Sequence, residues 1–381
     1  MSSTWSLRSA GVSRRIAACN LVLSDRFEKL FGREGVRHES NNFDALRLLS
    51  ALFVFISHSL ALSGRTAPSF MGGYGIGSVG LFVLFATGGY LVTASWQSDP
   101  DLGRYMVRRF LRIWPGYAVA VLASACVGWA IAVDEQGRYA AWNFVSNLWL
   151  QRFEGWFFRR PGAHPMLNGS LWTIPTTIFW YATLGLLAAA FRGWLRWVMA
   201  VVFIGGAAAF WFIVGETGAQ WLLRFGTSTS AWHLGMFFCA SALLRAAPAL
   251  SSPVGAACIV GGAAALLVLD EYTLALWLLV PLATVLIGRA SWPLLRAVGR
   301  RGDYSYGVYL YAWPVQQLVT QALGPQAPWP VLLLAALAIT AVCAWLSWHL
   351  VERWVLRLKP SRRAASGPRA SSVQGIETAA T

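Results

Sequence analysis

The sequence predicts an all-α, polytopic membrane protein with about ten transmembrane helices and both termini on the cytoplasmic side. Three observations carry this expectation. Of the 381 residues, 56% are hydrophobic and only 12% charged, with 21 tryptophans, outside the usual range of soluble domains. Apolar stretches of roughly 17–25 residues recur along the chain, the length needed to cross a hydrocarbon core of about 30 Å. The basic residues are also unevenly spread. With both termini inside, inner segments hold 24 of the 31 Lys and Arg, outer segments hold six, and Arg47 falls within the first span. This bias is the positive-inside pattern, and it sets the orientation in an inner (plasma) membrane. Topology and attraction to anionic lipid account for the net charge of +15, so no nucleic-acid partner is implied.

In chain order, residues 1–42 form a cytoplasmic tail, 43–357 the membrane domain, and 358–381 a Ser-, Ala- and Arg-rich tail that reads as disordered. In the first tail Ile16, Leu23, Phe27, Leu30 and Phe31 fall near helical spacing among basic residues. An interfacial helix and a disordered segment both fit, whereas a cleaved signal peptide does not. Spans are expected at 44–62, 79–96, 114–133, 171–191, 195–214, 230–246, 254–269, 272–288, 304–322 and 331–351. Most connections are short. The inner segment 97–113 is Arg-rich and runs into DLGRYMVRRFLRIWP, whose Pro115 suits the first turn of the third span. The outer segment 134–170 is aromatic and leads to HPMLNGSLW. Its Trp142, Trp149, Trp156, Phe157 and Phe158 read either as a packed lid or as an interfacial belt. Five cysteines (Cys19, Cys126, Cys239, Cys258, Cys343) show no metal-ligand spacing, so neither a metal site nor a bound cofactor is expected.

The first span, FDALRLLSALFVFISHSLALSG, carries the most informative polar residues. His58 follows Arg47 by eleven residues, 20° past three full turns, so both share one face about 16 Å apart along the axis. Asp44 precedes Arg47 by three residues and is placed to pair with it. Ionisable groups within a membrane are costly and mark a path or a site. No Asp or Glu lies in the middle of any expected span, which counts against a proton-coupled carrier. The absence of an internal repeat counts against an inverted-repeat transporter. His58 fits either a general base, since imidazole titrates near neutrality, or a neutral histidine hydrogen-bonded between helices.

Together the Arg-x10-His helix, the inner RRFLRIWP, GSLW before a span and the late GDYSYGVYLYAWPVQQ resemble the membrane acyltransferase-3 family, over about residues 43–357. The resemblance implies O-acyl transfer, acetyl above all, from a cytoplasmic acyl-CoA co-substrate to a carbohydrate hydroxyl at the outer side. It makes His58 catalytic and Arg47, Arg109 and Arg112 donor-binding. Guanidinium groups suit the donor's phosphates, and Arg109 and Arg112, three apart, face one way on a helix with Arg108 adding a third charge. Equally, these arginines read as anchors at the inner membrane surface. Tyr306 is a candidate on the donor path, with Tyr304, Ser305 and Tyr309 beside it. Asn168, Ser170 and Trp172 are acceptor-binding candidates by hydrogen bonding and ring stacking. His164 and His233 lie near the outer face as possible second bases. One departure stands out: many relatives carry a glutamate where this chain has Thr177. Glu154, Asp134 and Glu135 are outer carboxylates available to replace it. A carrier or flippase, and a catalytically silent partner in polysaccharide assembly, are the competing readings.

Overall fold

The computed structural model describes residues 41–70, 73–132, 134–149, 167–212, 229–324 and 326–360. The expectations for the N-terminal tail, for the chain beyond 360, and for Glu154, Trp156, Phe157, Phe158 and His164 fall outside them. The described residues are helical apart from turns and one isolated bridge between Ser69 and Gly75. The long helices are α1 (Phe43–Leu62), α2 (Ile76–Ser98), α3 (Leu102–Ile131), α4 (Glu135–Phe144), α5 (Thr173–Ala190), α6 (Leu195–Phe210), α7 (Thr229–Ala246), α8 (Pro253–Val268), α9 (Tyr272–Arg289), α10 (Ser305–Leu323) and α11 (Trp329–Ser347). A π turn at Trp348–Glu352 and a last helical turn, Arg353–Leu356, continue α11.

Six of these are long and apolar enough to cross a membrane: α1, α2, α3, α5, α9 and α11 with its continuation. The protein is therefore a multi-pass membrane protein. Helices α6 and α8 are apolar but have 16 residues each, about 24 Å at 1.5 Å per residue. Helices α7 and α10 have 18 and 19 residues and dilute their apolar surface with groups such as His233, Gln316 and Gln317. All ten expected spans thus coincide with helices, although only six meet the length and hydropathy of a span taken singly.

The largest difference from expectation is α3. It starts at Leu102, not near 114, and absorbs the Arg-rich segment into one 30-residue helix. The Asp101 side chain caps it by accepting from the Arg104 N–H at 2.8 Å, satisfying a donor that the first turn leaves open. Pro115 accordingly lies inside this helix, where its missing N–H leaves one carbonyl of the preceding turn without its helical donor. Hydropathy alone ends a span at an arginine; the backbone has no such reason to stop. The connection between α3 and α5 contains a further helix, α4, capped by Asp134 through the Gly137 N–H at 2.6 Å. Trp142 and Trp149 there are 71% and 81% exposed, as an interfacial belt requires.

Helix α2 sits at the centre and packs most extensively against α1 and α7, while α10 packs against α11 and α1. Close approach depends on small residues, as in membrane bundles generally. At Gly89 a side chain would lie 2.1 Å from the Phe238 carbonyl oxygen, so α2 and α7 meet at van der Waals contact only because that position is glycine. The main core gathers Phe82, Phe85, Trp96, Tyr105, Phe237, Phe238 and Trp277 from four helices.

Candidate active site

The charged residues collect at one end of the bundle because helix starts and ends alternate there. The beginning of α1 brings Asp44 and Arg47, that of α3 brings Arg108, Arg109 and Arg112, and the turn before α10 brings Asp303. The ends of α2, α7 and the α11 continuation bring Ser98, Arg245 and Arg353 with Lys359. These residues surround a cavity of about 1280 Å³, to which the described residues contribute seven cationic side chains and only two carboxylates, Asp44 and Asp303.

Asp303 organises this end. It accepts from Arg47 at 2.9 Å and from Arg112, tying α1 and α3 to the start of α10. Its other oxygen accepts from the Ser305 N–H at 3.2 Å and from the Ser305 hydroxyl, capping α10. Burial works against the Asp303 charge, but Arg112, Arg47 and the Ser305 hydrogen bonds outweigh it and hold the carboxyl below the usual carboxylate range. Arg47 also pairs with Asp44 at 3.0 Å, as its spacing predicts. Arg112 reaches buried Glu352 at 3.8 Å, a residue that the π turn swings beneath α3 and that also accepts from the Ser347 hydroxyl at 3.0 Å.

The remaining arginines differ in how they are balanced. Arg108 is buried and donates to Asp99 at 2.7 Å; Asp99 also takes two hydrogen bonds from Arg104. Those bonds, first from Arg104 and then from Arg108, hold the Asp99 carboxyl far down. Arg108 is thus a fastener between the end of α2 and the start of α3. Among the described residues Arg109 has only the Ser95 hydroxyl at 3.3 Å and the faces of Tyr105 and Tyr181 near 6 Å, and its buried Nε has no partner there. Tyr306 lies over the Arg112 guanidinium and donates to the Ile113 carbonyl at 2.7 Å, locking α10 against α3. Tyr304, by contrast, packs on Trp348 and does not line the cavity.

From this floor the cavity climbs one face of α2. Leu81, Leu84, Gly88, Leu91, Ser95 and Ser98 line it at helical spacing, a run of about 25 Å. It ends between Thr173, Thr177 and Tyr309. The Tyr309 hydroxyl donates to the Ser170 carbonyl at 2.8 Å and shares a 2.6 Å hydrogen bond with Thr173. Thr177 donates back to the Thr173 carbonyl of its own helix at 2.9 Å.

His58 lies just past that end. Its half-buried ring meets Trp313 edge-on at 4.8 Å, and Trp313 is one turn beyond Tyr309 on α10. The α1–α2 packing gives the same displacement: Gly80 abuts Ser50 and Phe53, while Gly77 abuts Ser57. Leu81 is therefore level with the middle of α1, and His58 stands about one helical turn, ~6 Å, above the cavity's last lining residues. The structure thus gathers Arg47, Arg109, Arg112 and Tyr306 around one space, and sets His58 apart from them along the same helix bundle.

The acceptor candidates are buried, not displayed. Asn168 is 5% exposed, donating to the Leu310 carbonyl at 2.9 Å and accepting from the Ser170 N–H at 3.1 Å. Ser170 is 0% exposed, and Trp172 packs half-buried on the main core. Hydrogen bonding to α10 is what draws them inward. Between them Gly169 lies flat on Trp313, where a Cβ would come within 2.8 Å of the indole. His233 sits in an aromatic box of Tyr74, Phe210 and Trp277, far from the charged floor in the chain's architecture. Asp303 and Glu352 escape sequence reasoning as site residues. The available signal was electrostatic: Arg47 and Arg112 each need a counter-charge, and Asp303 has the spacing of a cap for Ser305.

Residues 40–348 match the acyltransferase-3 family, described as an acyltransferase domain. The match covers most of the chain, which therefore belongs to that family of membrane acyltransferases. Among curated proteins the chain is similar to an O-acetyl transferase of Shigella phage Sf6, 29% identical over 85% of this chain and 98% of the relative. It is also similar to nodulation protein 10 of Rhizobium leguminosarum bv. viciae, 26% identical over 84% of this chain and 94% of the relative. A peptidoglycan O-acetyltransferase of Listeria monocytogenes is 24% identical over 82% of this chain, but over only 55% of its own length. No solved structure matches.

Proposed function

We propose that this protein is an O-acyltransferase with ten spans and cytoplasmic termini, moving an acetyl group from acetyl-CoA in the cytoplasm to a hydroxyl of an envelope or exported carbohydrate. The observation that carries the reading is the cavity: a basic floor at the Arg-rich end of the bundle, with an apolar shaft that stops one helical turn below His58. The positive-inside pattern puts that floor at the cytoplasmic side. A polyanion with a long uncharged arm ending in a thioester matches both parts, and the relatives named as O-acetyltransferases supply the group transferred.

In this mechanism the arginines hold the donor's phosphates while the arm runs up the α2 face toward Tyr309. Small shifts of Tyr309 and Trp313 bring the thioester carbonyl to His58. The imidazole takes the proton of the acceptor hydroxyl as its oxygen attacks the carbonyl carbon. The C–O bond forms, the C–S bond breaks, and the proton passes from the imidazolium to the departing sulfur. General-base assistance of this kind is worth ~10²–10⁴-fold in rate. Asn168 and Ser170 serve the acceptor indirectly, by fixing Gly169 against Trp313 beside the base; Trp172 supports them from the core.

The test is O-acetylation of envelope glycan in cells carrying the wild type, His58→Ala or Arg109→Ala, read by mass spectrometry. Loss of the acetyl ester in both variants, with protein still in the membrane, is the expected result. Full acetylation in both would remove the enzyme reading. Export of the glycan that depends on the protein without acetyl-CoA would favour a carrier.

A further inference from the structure

The cations lining the cavity separate into two sets by what balances them. Arg47 and Arg112 share Asp303, and Arg108 is held by Asp99. Lys359 has no carboxylate partner among the described residues, yet it lines the same cavity. It follows the last turn of α11, whose chain bends so that Leu356, Lys359 and Pro360 form part of the cavity wall beside the charged floor. The half-buried lysine shares that cavity with Asp44 and Arg47 from α1, Arg108, Arg109 and Arg112 from α3, Arg245 from α7, Asp303 from the turn before α10, and Arg353 from its own segment. A cation set among guanidinium groups that already own the nearby carboxylates is repelled by its surroundings. Only an added anion makes that placement favourable.

We propose that Lys359 is a further ligand for the donor: its ammonium binds a phosphate group of the coenzyme, so that the end of α11 forms the wall closing the donor's charged portion. The proposal rests on the acyl-CoA reading above. Ion-paired Arg47 and Arg112 then act mainly to shape the floor, and Lys359 joins Arg109, Arg245 and Arg353 as lining cations that have no carboxylate partner among the described residues. A consistent property is that burial, and then Arg112, Arg109, Arg47 and Arg108, push the Lys359 amine down to about 8. The sign of the linkage follows. An amine depressed when the cavity is empty is raised by a bound phosphate, so binding takes up protons. At pH 8, where about half of such amines are neutral, the uptake approaches about half a proton per site.

The experiment is isothermal titration of the full chain, purified in detergent, with coenzyme A at pH 8 in two buffers of different ionisation enthalpy. Wild type should bind with proton uptake. Lys359→Met should weaken binding about tenfold and abolish the uptake, the loss expected for one charged hydrogen bond. Lys359→Arg, which keeps the charge but does not titrate, should restore affinity without uptake. The proposal is overturned if Lys359→Met binds like the wild type, if it keeps the proton uptake, or if Lys359→Arg fails to recover affinity, which would indicate packing alone. Wild type binding normally while Lys359→Met is unchanged removes this inference and leaves the donor reading intact; no binding by the wild type removes both.

Discussion

The two ends of the cavity are built on opposite principles. The charged end is held by ion pairs that cross between helices: Asp303 joins α1, α3 and α10, and Asp99 joins α2 to α3. The opposite end, around His58, is held by ring contacts and close backbone approach: Trp313 against His58 on one side and Gly169 on the other, Tyr309 against Ser170 and Thr173. Ion pairs tolerate small shifts and retain a field that attracts a polyanion. Packed rings set a fixed shape with little charge around the imidazole. The division suggests that affinity for the donor resides below and the rate of transfer above.

His58→Ala offers the sharpest break of that comparison. Turnover should fall by ~10²–10⁴-fold while the Kd for coenzyme A stays at the wild-type value. A variant that lost donor affinity as well would show that the two ends are not separable. Asp303→Ala should act the other way, through stability. Two guanidinium groups would lose their shared carboxylate, costing about 3 kcal/mol, visible as a lower thermal midpoint in detergent. Asp303→Asn, keeping the cap on Ser305, should recover part of it; equal midpoints for all three proteins would refute the fastening role. Gly169→Ala is expected to be smaller. The new methyl group would press on Trp313 and misplace His58, lowering kcat about tenfold at unchanged donor affinity, within the ~1–3 kcal/mol usual for overpacking. A normal kcat would mean that the His58 end is more yielding than its contacts indicate.

The smallest effect is on pH. Because the Asp303 carboxyl is depressed in the folded state, it contributes stability that is complete above the unfolded value near pH ~4 and is lost as pH falls below it. Thermal midpoints should decline as pH falls below about 4, less steeply in Asp303→Asn. An identical acid decline in both proteins would assign it to other carboxylates.

How legible these ends were in the sequence differs in the same way. Helices with uninterrupted apolar faces were read almost to the residue: 44–62 and 272–288 expected, Phe43–Leu62 and Tyr272–Arg289 observed. The start of α3 was missed by a dozen residues because arginines lower hydropathy without opposing helix formation, and the cap at Asp101 carries more information than the charge run. The Asp44–Arg47 pair followed from spacing alone. Asp303 did not, since its partners lie 256 and 191 residues away and no local rule joins them. The Asn168–Ser170 stretch was expected to offer its hydrogen bonds to an acceptor. It became interior when Leu310 and Tyr309 supplied partners from α10.

The one-turn gap between shaft and base has a further consequence. Water is always present at an extracytoplasmic surface and competes with any alcohol for an activated ester. On the mechanism proposed above, Tyr309 and Trp313 would stand between a resting thioester and the imidazole, and a loaded donor would be shielded from hydrolysis until a bulkier guest rearranged those rings. Such a latch would show itself as very slow acetyl-CoA breakdown in the absence of glycan.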